Sequence, residues 1–225
     1  MKYPEWQIVT FDLENCLKKF QTLIFTKPKT VLRMPDIDKN KLKIVFLRKR
    51  KTITNAEFEK RNVEIFYHFS AWLEDKTINN IHCFLPIEKQ REVDTRIFVK
   101  YLNALGYKVI LSRCSLDNND MTHFFFEEKG QLLMNQWGII EPQGGKICPV
   151  DEIDAVLIPL VVFDRQGHRI GYGKGYYDRF LSQCRVDCHK VGLSLTPPLD
   201  SIPYIEPHDI RLDSCITPSG TYDFI

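Results

Sequence analysis

Hydrophobic positions along this chain follow two spacings in turn, and the alternation predicts an α/β protein. Helical spacing runs through residues 54–73, where Thr54 and Glu57 form a capping box, and through residues 94–105. Short apolar runs predict the strands, at residues 81–85, 108–112, 123–126, 155–163, 189–195 and 212–216. Residues 131–137 are predicted to add a short helix. We therefore expect a three-layer sandwich with a largely parallel central sheet and helices on both faces.

A glycine-rich stretch follows the central predicted strand. Residues 155–163 are apolar apart from Pro159, as expected of a strand buried on both faces. After a turn come three glycines at alternate positions, with Lys174 between the last two: Gly171, Gly173 and Gly175. Without Cβ atoms the backbone N–H groups can approach an anion, and the helical spacing after Gly175 predicts a helix N-terminus, which also attracts phosphate. The pattern predicts an anion site at the carboxyl end of this strand.

The residues around Lys174 narrow the type of anion site. A Walker A loop needs Ser or Thr after its lysine to hold magnesium, whereas Gly175 follows Lys174 here. A metal would therefore need a carboxylate, and Asp178 is the nearest. The third glycine also comes one residue too early for a dinucleotide-binding fingerprint. Two alternatives remain at this point: a purely structural glycine turn, and a role for Asp178 as the cap of the following helix.

Composition and charge indicate a globular protein with no nucleic-acid or membrane partner. Of the 225 residues, 44% are hydrophobic and 27% are charged, and the net charge is only +2. The first residues do not resemble a signal peptide, and no run of about 18 apolar residues could span a bilayer. Seven scattered cysteines, an odd number, favour free thiols in a reducing compartment. We expect a cytoplasmic protein in which Cys184, Cys188 and His189 are core residues rather than half of a zinc site.

The N-terminal part divides into an extension and a basic segment. Residues 1–33 are interpreted as an extension of unknown role, and residues 34–225 as the main domain. Residues 38–51 carry many cations beside a narrow apolar stripe, which predicts a helix with its charges pointing one way. From the pattern alone, a solvated charged face is the favoured interpretation of those cations.

Several segments, in order, resemble one family. They are Leu85-Pro86 followed by Glu92 to Thr95, Glu141-Pro142, the strand 154–163, the run Gly167 to Leu181, and the late Glu206 to Asp209 with Asp213. Over about residues 36–218 the chain is similar to the 5-formyltetrahydrofolate cyclo-ligases, also called 5,10-methenyltetrahydrofolate synthetases. The resemblance implies conversion of 5-formyltetrahydrofolate to 5,10-methenyltetrahydrofolate, with ATP hydrolysed to ADP and phosphate and Mg²⁺ required. It also implies a monomer whose partners are these two small molecules.

The resemblance also implies roles for particular residues. Lys174 and Arg169 would be catalytic, and the magnesium ligands would be Asp178 and Asp209. The ATP-binding residues would be Lys39, Lys43, Arg169, Ile170, Gly171, Tyr172, Gly173, Lys174, Gly175, Tyr176 and Tyr177. The folate-binding residues would be Leu85, Glu92, Tyr172 and Tyr176. The cations of the basic helix would then bind phosphate, against the interpretation from the charge pattern alone, and no general base is assigned.

Two other functions stay open on the sequence. One is an ATP-dependent phosphotransferase or ligase that acts on a different small acid. The other is a non-catalytic module that binds a phosphorylated metabolite. The carboxylates Asp178 and Asp209 count against the second, because a simple anion site gains nothing from them.

Overall fold

A computed structural model of the chain describes residues 38–115, 120–127, 129–135, 138–203 and 205–224, so the predicted extension 1–33 lies outside the described residues. The strands are β1 Asn80–His82, β2 Lys108–Cys114, β3 Met121–Phe125, β4 Leu132–Met134, β5 Ile140–Pro142, β6 Ala155–Pro159, β7 Val162–Phe163, β8 Arg169–Ile170, β9 His189–Leu193, β10 Ser214–Thr217 and β11 Gly220–Asp223. The central sheet has the order β11-β10-β9-β6-β1-β2-β3. Its five inner strands are parallel, and each edge strand is antiparallel to its neighbour.

Helices cover both faces of this sheet, which confirms the predicted class. The helices are α1 Lys39–Thr52, α2 Asn55–Glu74, α3 Arg96–Ala104 and α4 Tyr176–Leu181, with short 3-10 turns at Glu88–Gln90, Lys129–Gln131 and Val150–Glu152. Helices α2 and α3 bury Phe69 and Phe98 against one face of the sheet, and α4 buries Phe180 against the other. None of the described helices combines the length and the hydropathy needed to cross a bilayer.

Helix α2 begins where the sequence predicts, although only half of the capping box forms. The Thr54 side chain accepts a hydrogen bond from the Glu57 N–H at 3.2 Å. The Glu57 carboxylate accepts instead from Arg61 at 2.7 Å, one helical turn further along. A single capping contact and this ion pair are therefore enough to fix the start of the helix.

Two predicted elements were wrong. Residues 155–163 are not one strand, because the chain leaves the sheet after Pro159 and β7 forms a separate hairpin with β8. The carbonyls of Leu160 and Val161, at the break, accept from the guanidinium of Arg50. In the described part of the helix predicted at residues 131–137, Gln131 ends a 3-10 turn and residues 132–134 form β4, which pairs antiparallel with β5. The closing strand β11 was not predicted at all; it begins at Gly220, which has a φ of 132°.

The break after β6 brings α1 to the carboxyl end of the sheet. Leu42 and Phe46 of α1 pack against Val161, Val162 and Ile170, which belong to the broken strand and its hairpin. Parallel strands direct their carboxyl ends to one edge, so β1, β2 and β6 all end at the edge where this hairpin begins. This arrangement places a basic helix beside the loops that follow the strands.

Candidate active site

A cleft of about 620 Å³ opens at the carboxyl ends of β1, β2 and β6. Every residue predicted for the site lines it: Lys39, Lys43, Leu85, Glu92, Arg169, Ile170, Gly171, Tyr172, Gly173, Lys174, Gly175, Tyr176, Tyr177, Asp178 and Asp209. These residues are separated by up to 170 positions in the sequence, so it is the fold that brings them together.

The glycine-rich loop turns sharply at two of its three glycines. Gly173 has a φ of 94° and Gly175 a φ of 68°, a region that side chains with a Cβ rarely adopt. Gly171 has no such φ, and a Cβ there would meet nothing within 4 Å. The backbone conformation therefore requires glycine at positions 173 and 175, but not at position 171. A purely structural turn does not account for the cations that surround it.

Helix α1 supplies two of those cations. Lys39 and Lys43 are one turn apart and both line the cleft. A Cβ built on Gly173 would lie 3.2 Å from the Lys43 ammonium, which shows how closely this cation approaches the loop. Lys41, Arg48 and Lys49 are exposed, as the charge pattern predicted. The interpretation of a solvated charged face was therefore wrong for Lys39 and Lys43.

Asp178 binds an arginine and a backbone amide rather than its own helix. Its Oδ1 accepts from the Arg169 guanidinium at 2.8 Å and from the Ile210 N–H at 3.1 Å. Arg169 donates also to the Ile210 carbonyl, so the two side chains hold residues 206–210 against the loop. The residue that caps α4 is Gly175, without a side-chain hydrogen bond. The interpretation of Asp178 as a helix cap was wrong.

Asp209 lies in the segment that Asp178 and Arg169 hold. Its Oδ2 accepts from the Lys39 ammonium and from the Glu206 N–H, the latter at 2.9 Å. Burial opposes ionisation of this carboxyl, but the hydrogen bonds from Lys39 and Glu206 outweigh it and lower the pKa of Asp209. Asp209 is therefore an anion at neutral pH. In the described part of the chain, no three His, Cys, Asp or Glu side chains form a group that could hold a metal ion, Cys184 and Cys188 included.

Glu92 is a carboxylate buried in the cleft wall, with only 4% of its surface exposed. Its Oε2 accepts from the Ile87 N–H at 2.6 Å, and the carboxylate is also hydrogen-bonded to the Tyr172 side chain. The 3-10 turn at Glu88–Gln90 and a left-handed Arg91, with a φ of 48°, fold the chain back so that this contact can form. Burial raises the pKa of Glu92, although these hydrogen bonds and the nearby Arg50 oppose the rise.

The remaining predicted folate-binding residues form the less polar part of the wall. Leu85 follows β1 and is half-buried against the core. The Tyr176 hydroxyl donates to the carbonyl of Ser115, the residue after β2, at 2.8 Å. This hydrogen bond fixes the position of the Tyr176 ring in the cleft wall. A planar ligand could lie between such apolar walls.

Sequence reasoning missed several polar residues of the cleft. Glu141 was noted only as part of a motif, yet its buried carboxylate accepts from the Cys114 N–H at 3.2 Å and from Asn135 at 2.9 Å. Burial and this nearby carboxylate raise the pKa of the Cys114 thiol to about 11, so it is not a reactive thiolate. Cys114 therefore supplies no nucleophile to the cleft.

A second missed feature is a chain of three polar side chains at the floor of the cleft. The Ser112 hydroxyl lies 2.7 Å from Nε2 of His82 and 2.7 Å from Nδ1 of His123. Burial lowers the pKa of both imidazoles, that of His123 to about 4, so both are neutral at pH 7. Nothing in the local sequence pattern indicates this cluster, because each member lies in an apolar strand.

Comparison with known proteins identifies the family. A sequence model of the 5-formyltetrahydrofolate cyclo-ligase family matches residues 35–218 of the chain. The chain belongs to this family. It is 32% identical to the 5-formyltetrahydrofolate cyclo-ligase of Mycoplasma genitalium over 160 residues, which cover 70% of this chain and 85% of that protein. It is 30% identical to the enzyme of the same name from Saccharomyces cerevisiae over 165 residues, covering 63% of this chain and 76% of that protein.

Solved structures of the family share the fold described above. The 5,10-methenyltetrahydrofolate synthetase of Mycoplasma pneumoniae superposes with a TM-score of 0.67 at 26% identity, covering 81% of this chain and 99% of that one. The synthetase of Aquifex aeolicus gives a TM-score of 0.72 at 24% identity, covering 83% of this chain and 92% of that one, a likeness of fold alone. The predicted family and the predicted fold class are both confirmed.

Proposed function

We propose that this chain is a 5-formyltetrahydrofolate cyclo-ligase, which converts 5-formyltetrahydrofolate to 5,10-methenyltetrahydrofolate and hydrolyses ATP to ADP and phosphate. Family membership supports the reaction. The observation that carries the proposal is the composition of one cleft, in which a glycine loop flanked by Lys43 and Lys174 faces the same space as the buried carboxylate of Glu92. An anion site and a site for the amino edge of a pterin are therefore contiguous.

The reaction needs an activated formyl oxygen. A formyl group on N5 is an amide, so its carbon is a weak electrophile. Transfer of the γ-phosphoryl group forms a new P–O bond to the formyl oxygen and breaks the bond to ADP. N10 then attacks the same carbon and loses its proton, the C–O bond breaks, and inorganic phosphate leaves. Such a transfer depends on in-line positioning and charge neutralisation rather than on a nucleophilic side chain.

The cations of the cleft suit the phosphate part of this reaction. Lys43 reaches the glycine loop from α1, Lys39 lines the same cleft while paired with Asp209, and Lys174 is an exposed cation within the loop itself. We propose that these three side chains and the loop N–H groups, from Ile170 to Tyr177, bind the triphosphate. Arg169 is engaged with Asp178 and Ile210, so we propose that it acts by holding this wall beside the phosphates.

Leu85, Glu92, Tyr172 and Tyr176 are proposed to bind the folate. An ionised Glu92 can accept two hydrogen bonds from the amino-pyrimidinone edge of a pterin, each worth about 1.5–3 kcal/mol when charge-assisted. Its fixed orientation, held by Ile87 and Tyr172, means that little conformational entropy is lost on binding.

Asp178 and Asp209 are proposed to hold Mg²⁺, and the way they are bound fits this role. Both contacts of Asp178 use Oδ1, and both contacts of Asp209 use Oδ2, so each carboxylate keeps a second oxygen outside these contacts. Magnesium takes one or two carboxylates together with phosphate oxygens and water. When bound, it would neutralise charge on the β- and γ-phosphates.

Asp178→Asn and Asp209→Asn are each expected to lower turnover and to raise the Mg²⁺ concentration for half-maximal activity by about tenfold or more, because a hard anionic ligand is lost. The measurement is a Mg²⁺ titration of the initial rate. The double variant should lose less than the sum of the two losses, since both side chains act through one ion. Asp200→Asn, which breaks an exposed ion pair with Arg165, is the matched control and should leave the titration unchanged. An unchanged titration for Asp178→Asn would leave that residue only its contacts with Arg169 and Ile210.

Removing residues 1–33 is expected to leave an active enzyme that starts at Met34, because the family match begins at residue 35. The domain boundary itself is our proposal. Expression of the shortened chain, followed by a thermal melt and an activity assay, checks it. An insoluble product would show that the extension contributes to the core.

We also propose a cytoplasmic monomer, which size-exclusion chromatography with light scattering and cell fractionation would test.

The decisive test of the function follows the product by absorbance after mixing the protein with 5-formyltetrahydrofolate and Mg-ATP. Formation of the methenyl compound with one ADP per turnover is the expected result. Stimulation of ATP hydrolysis by unrelated small acids, but not by 5-formyltetrahydrofolate, would favour a different ligase. Binding of phosphate compounds without turnover would favour a non-catalytic module.

A further inference from the structure

Arg50 is a buried cation near the end of α1 that sequence reasoning placed in a solvated face. Only 5% of its surface is exposed. It donates to the Tyr172 hydroxyl at 3.0 Å through Nη1, and through Nη2 to the carbonyls of Leu160 at 2.6 Å and Val161 at 3.4 Å. No carboxylate among the described residues lies within ion-pair distance of it. Burial of a charge in this way costs free energy unless the charge is compensated nearby.

The compensating charge lies on the other side of the Tyr172 hydroxyl. Because this oxygen accepts from Arg50, its own proton is available for the Glu92 carboxylate, with which it is hydrogen-bonded. Glu92 is likewise buried without a direct cationic partner among the described residues. The three side chains therefore form a line in which a phenol joins a buried cation to a buried anion. Each buried charge is stabilised because the opposite charge lies on the other side of the same hydroxyl group.

We infer that Arg50 is a positioning residue for the cyclo-ligase reaction, which fixes Tyr172 and, through it, the Glu92 carboxylate that receives the folate. The inference rests on the proposed function. Arg50 does not itself line the cleft, so it acts from behind the tyrosine. Its contacts with the Leu160 and Val161 carbonyls anchor the guanidinium at the break in the sheet, which gives the line a rigid end.

The same helix links this line to the phosphate site. Lys39, Lys43 and Arg50 are spaced so that they fall on one face of α1, and the first and last are about 16 Å apart along its axis. Any displacement of α1 would therefore move Lys39 and Lys43 of the phosphate site together with Arg50, which supports Glu92 through Tyr172. Arg50 is thus the folate-side counterpart of the two lysines.

The test compares Tyr172→Phe, Arg50→Met and the double variant with the wild type. Each single change is expected to raise KM for 5-formyltetrahydrofolate about tenfold, equivalent to about 1.4 kcal/mol, with KM for ATP changed less than about twofold. Because both changes cut the same line, the double variant should resemble the singles. Arg61→Met is the matched control, since the Arg61 guanidinium also extends from a helix and donates to a backbone carbonyl, that of Leu195, away from the cleft.

The pH profile provides a measurement that a purely structural role would not move. Arg50 from α1, Tyr172 from the loop and Tyr177 from α4 face Glu92, and the first two oppose the rise in its pKa that burial causes. Removing either should raise the pKa of Glu92 further. The acid limb of kcat/KM for 5-formyltetrahydrofolate should therefore move to higher pH in both single variants, and should not move in Arg61→Met.

The outcomes separate this inference from the function on which it rests. If the wild type forms no methenyl product, the proposed function and the inference both fail. If the wild type is active, a folded Tyr172→Phe variant with unchanged KM and an unmoved acid limb overturns the inference alone, as do additive losses in the double variant. Arg50→Met leaves two buried carbonyls without their donor, so thermal melts accompany the kinetics. Should it not fold, Arg50→Lys replaces it in the KM comparison, where the loss of the guanidinium geometry should still raise KM for 5-formyltetrahydrofolate; because lysine keeps the charge, the shift of the acid limb is then tested by Tyr172→Phe.

Discussion

Lys174→Ala is expected to lower kcat/KM for ATP by about 100- to 1,000-fold, which corresponds to about 2.7–4 kcal/mol of lost transition-state stabilisation. Lys174 is exposed at the cleft within the glycine loop, and the described residues offer it no carboxylate within ion-pair distance. Its charge is therefore available for a phosphate. Binding of 5-formyltetrahydrofolate should change little, because the folate is proposed to contact Leu85, Glu92 and the two tyrosines Tyr172 and Tyr176 rather than the Lys174 ammonium.

Steady-state kinetics with each substrate varied in turn, together with calorimetric binding of both, checks this prediction. Lys41→Ala is the matched control, since Lys41 is an exposed lysine of α1 and its ion pair with Asp38, at 3.5 Å, is also exposed. It should behave as the wild type does. An unchanged kcat/KM for ATP in Lys174→Ala would remove the glycine loop from the phosphate site.

The fold could be predicted as far as local patterns determine it. The apolar runs identified the parallel strands, because a strand buried on both faces needs apolar residues throughout. The errors arose where distant residues decide the conformation. The break after Pro159 depends on Arg50, 110 positions away, which binds the Leu160 carbonyl. Residues 132–134 form a strand because β5 pairs with them, although their spacing also suits a helix.

The candidate site could be predicted where a motif carries its own chemistry, and not elsewhere. The glycine loop and Glu92 came from motifs, and the structure places both in one cleft. The charge pattern of α1 could not say which cations face inward, since that depends on how the helix packs. The link from Arg50 to Tyr172 spans 122 positions. No spacing rule within either segment could predict it.

Glu92→Gln is expected to raise the dissociation constant for 5-formyltetrahydrofolate about 10- to 100-fold while binding of ATP stays within about twofold. The amide keeps the shape of the side chain and can still accept from the Ile87 N–H. It loses the charge and one acceptor, however, so one donor of the pterin remains unpaired, at a cost of about 1.5–3 kcal/mol. Calorimetry with each ligand separately is the measurement.

The pH dependence of binding gives the same prediction a second test. Burial raises the pKa of Glu92, so its protonation on acidification begins at a higher pH than for an ordinary glutamate. Affinity of the wild type for 5-formyltetrahydrofolate should fall as pH drops through that pKa, whereas the glutamine variant, which cannot titrate, should lack this loss. Glu88 lies four residues before Glu92, and its exposed carboxylate pairs with Arg96. Glu88→Gln should therefore keep the wild-type pH dependence of folate binding. Equal weakening of folate and ATP in Glu92→Gln, with a lowered melting temperature, would instead assign Glu92 to the fold, because a residue that only supports the cleft wall has no reason to distinguish between the two ligands.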